Sequence, residues 1–368
     1  MSESFYPLEI KNIEKETIDC VSISFIVPDE LKEVFHYTQG QYLTLRTNIN
    51  NQEIRRAYSL SSAPFEEELT VSVKQVPNGK MSTHLCSHIK VGDRIETMPP
   101  NGRFFTPLSP DAKKTYYFFC AGSGITPIIS IMKTIIEEEP LSTVFLLYGN
   151  RDEENIIFKS TLDHLQEKYR DQIIVDYILS QPKRNRTSGI KGFWSKANIS
   201  WQGKVGRIGL TEVSTFLEEH PTRGKSEEYF ICGPGEMITL IQSHLESSGI
   251  STKNIHHEFF TTPSSDDGDA SSETHKGKSN AIVTLNGTRH EFVMERGDTI
   301  LKALQNIGVE APYSCGTGAC STCMARVKSG KISMDACFAL DDDEVENGYI
   351  LTCQSHPTTE SIEITFDE

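Results

Sequence analysis

Residues 312–323 read PYSCGTGACSTC, which places Cys315, Cys320 and Cys323 close together in a chain of 368 residues that has nine cysteines. A fourth, Cys353, completes the spacing Cys315-x4-Cys320-x2-Cys323-x29-Cys353. A mononuclear zinc ribbon pairs two short CxxC turns across a longer gap, and only one such turn stands here. The neighbours Gly316, Gly318, Ala319 and Ser321 are small enough for backbone amides to approach the sulfur atoms closely. Such N–H donors stabilise negative charge on sulfur. The stretch therefore reads as a metal or redox loop, with a zinc or purely structural role as the alternative.

The rest of the composition sets bounds. A chain of this length is expected to form two or three domains. The opening MSESFYPLEIKNIEKET is charged and unlike a signal sequence, and no apolar run reaches the roughly 18 to 20 residues of a membrane span. A cytoplasmic protein with no membrane insertion is expected. In that compartment nine cysteines point away from structural disulfides. The net charge of −15 argues against nucleic-acid binding. Residues 278–368 hold 14 acidic and 7 basic side chains, a pattern that serves either solubility or docking of a basic partner.

Three styles of sequence follow one another. Up to about residue 108, short alternating runs such as QYLTLRTN and ELTVSVKQV are bounded by Gly, Pro and Asn, which predicts an antiparallel barrel. From Thr115, apolar runs (TYYFFCAG, STVFLLYGN, IIVDYILS, EYFICGP) alternate with helical stretches such as TPIISIMKTIIEEE, which predicts a parallel sheet with crossover helices. Thr261–Ser279 is polar, small and acidic and reads as a flexible linker. Beyond it, NAIVTLNG and TRHEFVME predict a hairpin turned at Asn286 and Gly287, then a helix over Asp298–Ile307 capped by Asp298. The predicted segments are 1–110, 111–262, a linker over 263–279, and 280–368. The stretch GFWSKANISWQG looks like a local insertion whose Trp194 and Trp201 serve as a lid or as packing.

The spacing of the four cysteines matches that of plant-type [2Fe-2S] proteins, and residues 280–368 resemble plant-type ferredoxins in the strand pair, the helix and the APYSC stretch as well. The resemblance implies an α+β, β-grasp ferredoxin domain with Cys315, Cys320, Cys323 and Cys353 as ligands. Cys337 has no place in the pattern and is expected to be a spare, buried thiol. A cluster of this kind carries one electron, whereas cellular reductant arrives largely as hydride. A flavin converts one into the other.

The run RRAYSLSS holds Arg56-Ala57-Tyr58-Ser59 at the end of a predicted strand, where Arg56 and Tyr58 share a face. Gly40-Gln41-Tyr42 stands upstream, and Gly79-Lys80-Met81-Ser82-Thr83 leads into a helix whose free N–H groups suit a phosphate. Together these resemble the flavin domain of the ferredoxin-NADP reductase superfamily. The resemblance implies that Tyr58 stacks on the flavin ring and that Ser59 approaches its N5. It also gives Arg56 the pyrophosphate, closed over by amides around Met81 and Ser82. Gly79 and Lys80 of the same turn favour FAD over FMN, since that turn serves the second phosphate.

Cys120-Ala-Gly122-Ser-Gly124-Ile-Thr126-Pro127 and Cys232-Gly233-Pro234-Gly-Glu-Met each follow an apolar strand and open a helix. The pair resembles the nicotinamide-binding half of the same superfamily, with Cys232 beside the nicotinamide as a positioning residue rather than a nucleophile. NADPH-preferring relatives resemble this chain in carrying Ser180 with cations nearby, here Lys183, Arg184 and Arg186; a solvated basic loop is the alternative, and NADH remains open. The resemblance further implies that His257–Phe260 returns to the flavin, with Phe259 or Phe260 shielding the ring, or else forms a terminal strand. One electron path emerges, from NADPH through FAD and a [2Fe-2S] cluster to an oxygenase or hydroxylase partner. The alternatives are a general ferredoxin, flavodoxin or quinone reductase, or a non-catalytic iron-sulfur carrier or sensing module.

Overall fold

The computed structural model describes residues 4–185, 198–260 and 277–367. Strands β1 (Tyr6–Thr17), β2 (Cys20–Ile26), β3 (Tyr42–Ile49), β4 (Gln52–Ser59), β5 (Leu69–Lys74) and β6 (Arg94–Thr97) form one antiparallel sheet in the order β4-β3-β6-β1-β2-β5. A bridge between Leu60 and Val71 links its two ends and closes the barrel. Leu8, Ile10, Leu43, Leu45 and Val71 fill the barrel because alternate residues of each strand face inward. Helix α1 (Lys80–Ser87) starts directly after Gly79, where the sequence places a helix opening.

The second sheet is parallel throughout. Its strands are β7 (Lys114–Ala121), β8 (Thr143–Asn150) and β9 (Ile173–Leu179); a separate pair β10 (Arg184–Asn185) and β11 (Asn198–Ile199) follows, then β12 (Lys204–Val205), β13 (Ser226–Gly233) and β14 (Ile255–Phe259). The order is β12-β9-β8-β7-β13-β14. Helices α2 (Ile125–Glu138), α3 (Lys159–Lys168), α4 (Leu210–Glu219) and α5 (Gly235–Ser247) are the crossovers. All eight residues of β8 are buried, as expected of a strand covered on both faces. Alternation divides β7 between two cores: Tyr116, Phe118 and Cys120 face α2, while Tyr117 and Phe119 face α4 and α5. The chain runs outward from β7 to β8, then returns to β13 on the other side of β7. This reversal opens a crevice at the carboxyl ends of β7 and β13.

The third sheet, ordered β16-β15-β21-β17-β19, contains β15 (Lys278–Leu285), β16 (Thr288–Glu295), β17 (Met324–Ser329), β19 (Tyr349–Leu351) and β21 (Ser361–Thr365). A small pair, β18 (Ile332–Met334) with β20 (Ser355–Pro357), lies apart, and α6 (Ile300–Asn306) and α7 (Asp342–Glu346) complete a β-grasp unit. Asn286 and Gly287 turn the β15–β16 hairpin with φ of 50° and 72°, and their N–H groups donate to the Asp367 carboxylate at 2.6 and 2.7 Å.

Two expectations change. The helix after the hairpin is capped by Thr299, not Asp298: Thr299 Oγ1 accepts from the Lys302 N–H at 3.2 Å, because the turn that the Asp298 N–H closes on the Glu295 carbonyl places Asp298 one residue ahead of the cap position. The expected linker ends early, since Lys278 and Ser279 belong to β15, where Ser279 is buried and its Oγ donates to the Thr359 carbonyl. The rest of that linker, residues 261–276, lies outside the described residues, as do Arg186 and Trp194. Trp201 packs against the core of the parallel sheet and donates to the Lys204 carbonyl. Among the described residues no helix is long and apolar enough to cross a membrane.

Candidate functional site at the junction of three domains

The cysteine loop joins α6 to β17. Gly316 and Gly318 adopt φ of 69° and 77°, a left-handed region that a glycine enters without strain. The resulting turns aim amides at sulfur: the Thr317 N–H donates to Cys315 Sγ at 3.4 Å, and Cys320 Sγ lies 3.2 Å from Cys315 Sγ. That neighbouring thiol, then the Thr317 and Ala319 amides, lower the Cys315 thiol below its usual range against the opposing effect of burial. Cys353 arrives from the distant end of the domain because both the N–H and the hydroxyl of Thr352 donate to the Cys323 carbonyl, at 3.1 and 3.0 Å. Gln354 Nε2 then ties this segment to the Gly316 carbonyl at 3.0 Å. Cys320, Cys323 and Cys353 are buried and Cys315 is half-buried. Four converging sulfurs with amide donors already aimed at them suit a [2Fe-2S] cluster. Cys337 is half-buried against the core of this domain, more exposed than expected.

On the barrel, β4 ends in Arg56, Tyr58 and Ser59. Arg56 is exposed, with its guanidinium donating to the Arg55 carbonyl at 2.7 Å. Tyr58 and Met81 pack on the same barrel core, which sets the α1 turn beside the β4 motif. A Cβ at Gly79 would come 2.4 Å from Ser82 Oγ and 2.5 Å from Val76 Cγ2, so only glycine allows this close turn. Ser82 Oγ is used within it, accepting from the Val76 N–H at 3.2 Å, while Lys80 Nζ donates to Gln52 at 2.8 Å. The unpartnered amides of the first helical turn are left to receive an anion.

Ser59 Oγ donates to Glu258 Oε2 at 3.1 Å. Glu258 comes from β14, directly in register with Cys232 of β13, and burial pushes its carboxyl up to about 8. The same burial raises the Cys232 thiol well above its usual range, so Cys232 stays protonated and a poor nucleophile. Glu258 was missed as a site residue. The available signal was one acid inside the run IHHEFF.

The crevice at the switch point is a cavity of 760 Å³ lined by Gly122, Gly233, Pro234, Ser180, Arg151 and Arg207 among others. A Cβ at Gly124 would sit 2.1 Å from the Cys232 carbonyl oxygen, so that glycine permits close backbone approach, while one at Gly233 would lie 3.2 Å from the Ala121 nitrogen. Thr126 and Pro127 are buried in the first turn of α2, and Thr126 Oγ1 donates to the Ser123 carbonyl at 3.0 Å. Lys183 does not line the cavity; its ammonium pairs with Glu154. Arg184 lies on β10. Of the two phenylalanines, Phe259 ends β14 inside the core, while Phe260 lines the cavity.

The three domains meet where β14 ends. A second cavity, of 140 Å³, is lined by Tyr42 of the barrel, His257 and Glu258 of the parallel sheet, and Ala319, Cys320 and Phe338 of the cysteine domain. Around it the Phe259 and Phe338 rings lie 5.0 Å apart, the Arg55 guanidinium covers the Tyr313 ring at 4.4 Å, Arg103 pairs with Glu344, and Tyr42 bonds Thr322 at 2.8 Å. The arrangement can receive hydride at one side and pass single electrons out at the other.

Two outcomes are expected. Both positions carry the strain of a left-handed φ, but Gly318→Ala also places a methyl 2.8 Å from the Ala336 carbonyl oxygen, whereas Gly316→Ala meets open space. The first variant should lose most of its bound iron and cluster absorbance, and the second should keep most of both; equal retention would contradict the role given to Gly318. The folded carboxyl of Glu258 titrates near 8 and the unfolded one near 4.5, so between these values the folded state binds the extra proton and stability falls as pH rises. Glu258→Gln should flatten the fall in thermal midpoint between about pH 5 and about pH 8.

The amino-acid sequence matches an oxidoreductase FAD-binding domain over residues 7–106, an oxidoreductase NAD-binding domain over 118–243 and a 2Fe-2S iron-sulfur cluster binding domain over 283–358. It is 32% identical to a subunit of the 1,2-phenylacetyl-CoA epoxidase of Escherichia coli (strain K12), covering 99% of this chain and 98% of that one. It is 34% identical to the ferredoxin reductase component of 3-ketosteroid-9-alpha-monooxygenase of Rhodococcus rhodochrous, covering 98% and 96%. The fold is similar to that of phthalate dioxygenase reductase, with a TM-score of 0.57 at 22% identity over 98% of each chain. The matched domains assign FAD, a [2Fe-2S] cluster and a nicotinamide cofactor to an oxidoreductase. With its three domains matched and its relatives aligned over nearly its whole length, the chain belongs to the family of flavin- and [2Fe-2S]-dependent reductases that includes this 1,2-phenylacetyl-CoA epoxidase component and the 3-ketosteroid-9-alpha-monooxygenase reductase.

Proposed function

We propose that the chain is the NADPH-dependent reductase component of an oxygenase or hydroxylase system, with a phenylacetyl-CoA epoxidase-like system favoured. The observation that carries this reading is the junction cavity, where Glu258 at the end of the hydride cleft and Cys320 of the cysteine loop line one small space. When bound, FAD accepts a hydride and returns electrons one at a time to the [2Fe-2S] cluster. The chain supplies position. Cys315, Cys320, Cys323 and Cys353 hold the cluster. Tyr58 offers its face to the flavin ring, Ser59 its hydroxyl, and Arg56 with the amides of Met81 and Ser82 the charge for the pyrophosphate. Gly122, Gly124, Gly233 and Pro234 bring backbone close to the nicotinamide nucleotide, and Cys232 packs beneath it. Glu258 holds a proton at its carboxyl within reach of Ser59 Oγ, in a small cavity whose wall it shares with Tyr42 and Phe259.

Preference for NADPH rests on Ser180 together with Arg207 and Arg151. All three line the nucleotide cavity. Arg151 is partly engaged by Asp152 at 3.1 Å, and exposed Arg207 stands just after β12. No acid takes the position of Ser180, so a 2′-phosphate there meets the cations of Arg151 and Arg207, although Glu236 of α5 also lines the cavity.

Anaerobic addition of NADPH to the purified protein should bleach the flavin band and then the cluster bands, and the reduced protein should drive turnover of the oxygenase component that co-purifies with it. Flavin and iron-sulfur bands without electron transfer to any oxygenase component would reject the partner assignment. Arg207→Glu should raise the KM for NADPH by about tenfold or more, the loss expected for a charged hydrogen bond, and leave NADH kinetics nearly unchanged. Equal effects on both cofactors would remove Arg207 from the phosphate site.

A further inference from the structure

One hydrogen-bonded chain crosses from the flavin domain to a cluster ligand. Tyr42 Oη lies 2.8 Å from Thr322 Oγ1, and Thr322 Oγ1 lies 3.5 Å from Cys320 Sγ. All three residues are buried. Tyr42 is fixed on the barrel side, since its N–H donates to the Asn101 carbonyl at 2.8 Å and its carbonyl accepts from the Asn101 N–H at 3.0 Å. Its ring is backed by Gly102, where a Cβ would come within 3.0 Å. Thr322 is fixed on the other side, between Cys320 and Cys323.

Ligation of Cys320 settles where the protons go. A ligating cysteine sulfur has lost its proton and can only accept. Thr322 has a single O–H. Donated to sulfur, it leaves an oxygen lone pair that needs a donor, and the phenol of Tyr42 is that donor, kept protonated by its burial. The order Tyr42 O–H to Thr322 O–H to Cys320 Sγ uses each proton once and strengthens the bond at the sulfur end. Hydrogen bonds onto ligand sulfur stabilise the extra negative charge of the reduced state and raise its potential.

We propose that Tyr42 is a positioning residue that locks the Thr322 hydroxyl onto the Cys320 sulfur while the ferredoxin domain is seated on the barrel, making the seated cluster a better electron acceptor than the separated one. One electron then passes from the flavin side to the cluster while both hydroxyl protons stay on their oxygens. When the domains part, the Tyr42 contact is lost and the same electron is held less tightly, which favours its release to the external acceptor. The inference rests on Cys320 being a cluster ligand, and a [2Fe-2S] signal by electron paramagnetic resonance in each variant tests that point separately.

The test is a redox titration of the full-length holoprotein followed by that signal. Tyr42→Phe should lower the cluster's equilibrium constant for reduction by about tenfold, which is ~59 mV for one electron. Thr322→Val should lower it as far or further, Thr322→Ser should stay near the wild type, and the double variant Tyr42→Phe/Thr322→Val should match Thr322→Val alone. An intact cluster signal at an unshifted potential in Tyr42→Phe overturns the proposal. So do additive shifts in the double variant, which would mean that Tyr42 acts by a route other than Thr322.

Discussion

The seating of the cysteine loop on the end of β14 is the contact on which the electron path depends. Ala319, Cys315 and Phe338 pack against the same buried core as Phe259, Ile231 and Met237 of the parallel sheet. An apolar seam of this kind excludes water without prescribing rotation, since burial of apolar area is non-directional. The polar contacts at its rim supply the direction: Tyr42 with Thr322, Arg103 with Glu344, and Arg55 over Tyr313. Packing thus sets the distance between flavin side and cluster, and a few directed contacts set the angle.

The same seam explains why an acid sits at its centre. β14 is an edge strand of a parallel sheet, and at this edge its terminal residues are partly covered by two other domains. Glu258 is therefore half-buried at the cavity wall, and desolvation disfavours its charged form. One hydroxyl, that of Ser59, bonds it from across the barrel boundary. A neutral carboxyl in this place costs far less than a buried carboxylate and retains a proton close to where a flavin would exchange one.

The nucleotide cleft shows how a motif can be legible while its charge is not. The glycine turns at Gly122–Gly124 and Gly233–Pro234 are local features, because close backbone approach at the end of a strand leaves a direct mark on the sequence. The cations are different. Lys183 follows Ser180 closely in sequence, yet it is neutralised by Glu154, which the β8–α3 connection brings to it. Arg207, twenty-seven residues after Ser180, lines the cavity because β12 pairs with β9 and carries the next loop to the same edge. Proximity in sequence points to Lys183 but not to Arg207, since a parallel sheet assembles its crevice from loops that are separated by entire crossover helices.

The sequence by itself determined what depends on local pattern: the alternation that makes a barrel, the apolar runs that make a buried parallel sheet, the Asn286-Gly287 hairpin, and the spacing of Cys315, Cys320, Cys323 and Cys353. Each follows from a period or a turn requirement that acts over a few residues, or from a spacing shared with a known family. Even there one detail escaped, as Thr299 rather than Asp298 caps α6, because two adjacent capping residues compete and the preceding turn decides between them. Only the tertiary structure decided which residues face one another across the domains. Ser59 and Glu258 are 199 positions apart and Tyr42 and Thr322 are 280 apart, and no local propensity encodes a contact at such separation. It arises when apolar surfaces of three folded units are buried against each other, and the polar groups trapped at that boundary must then find partners there.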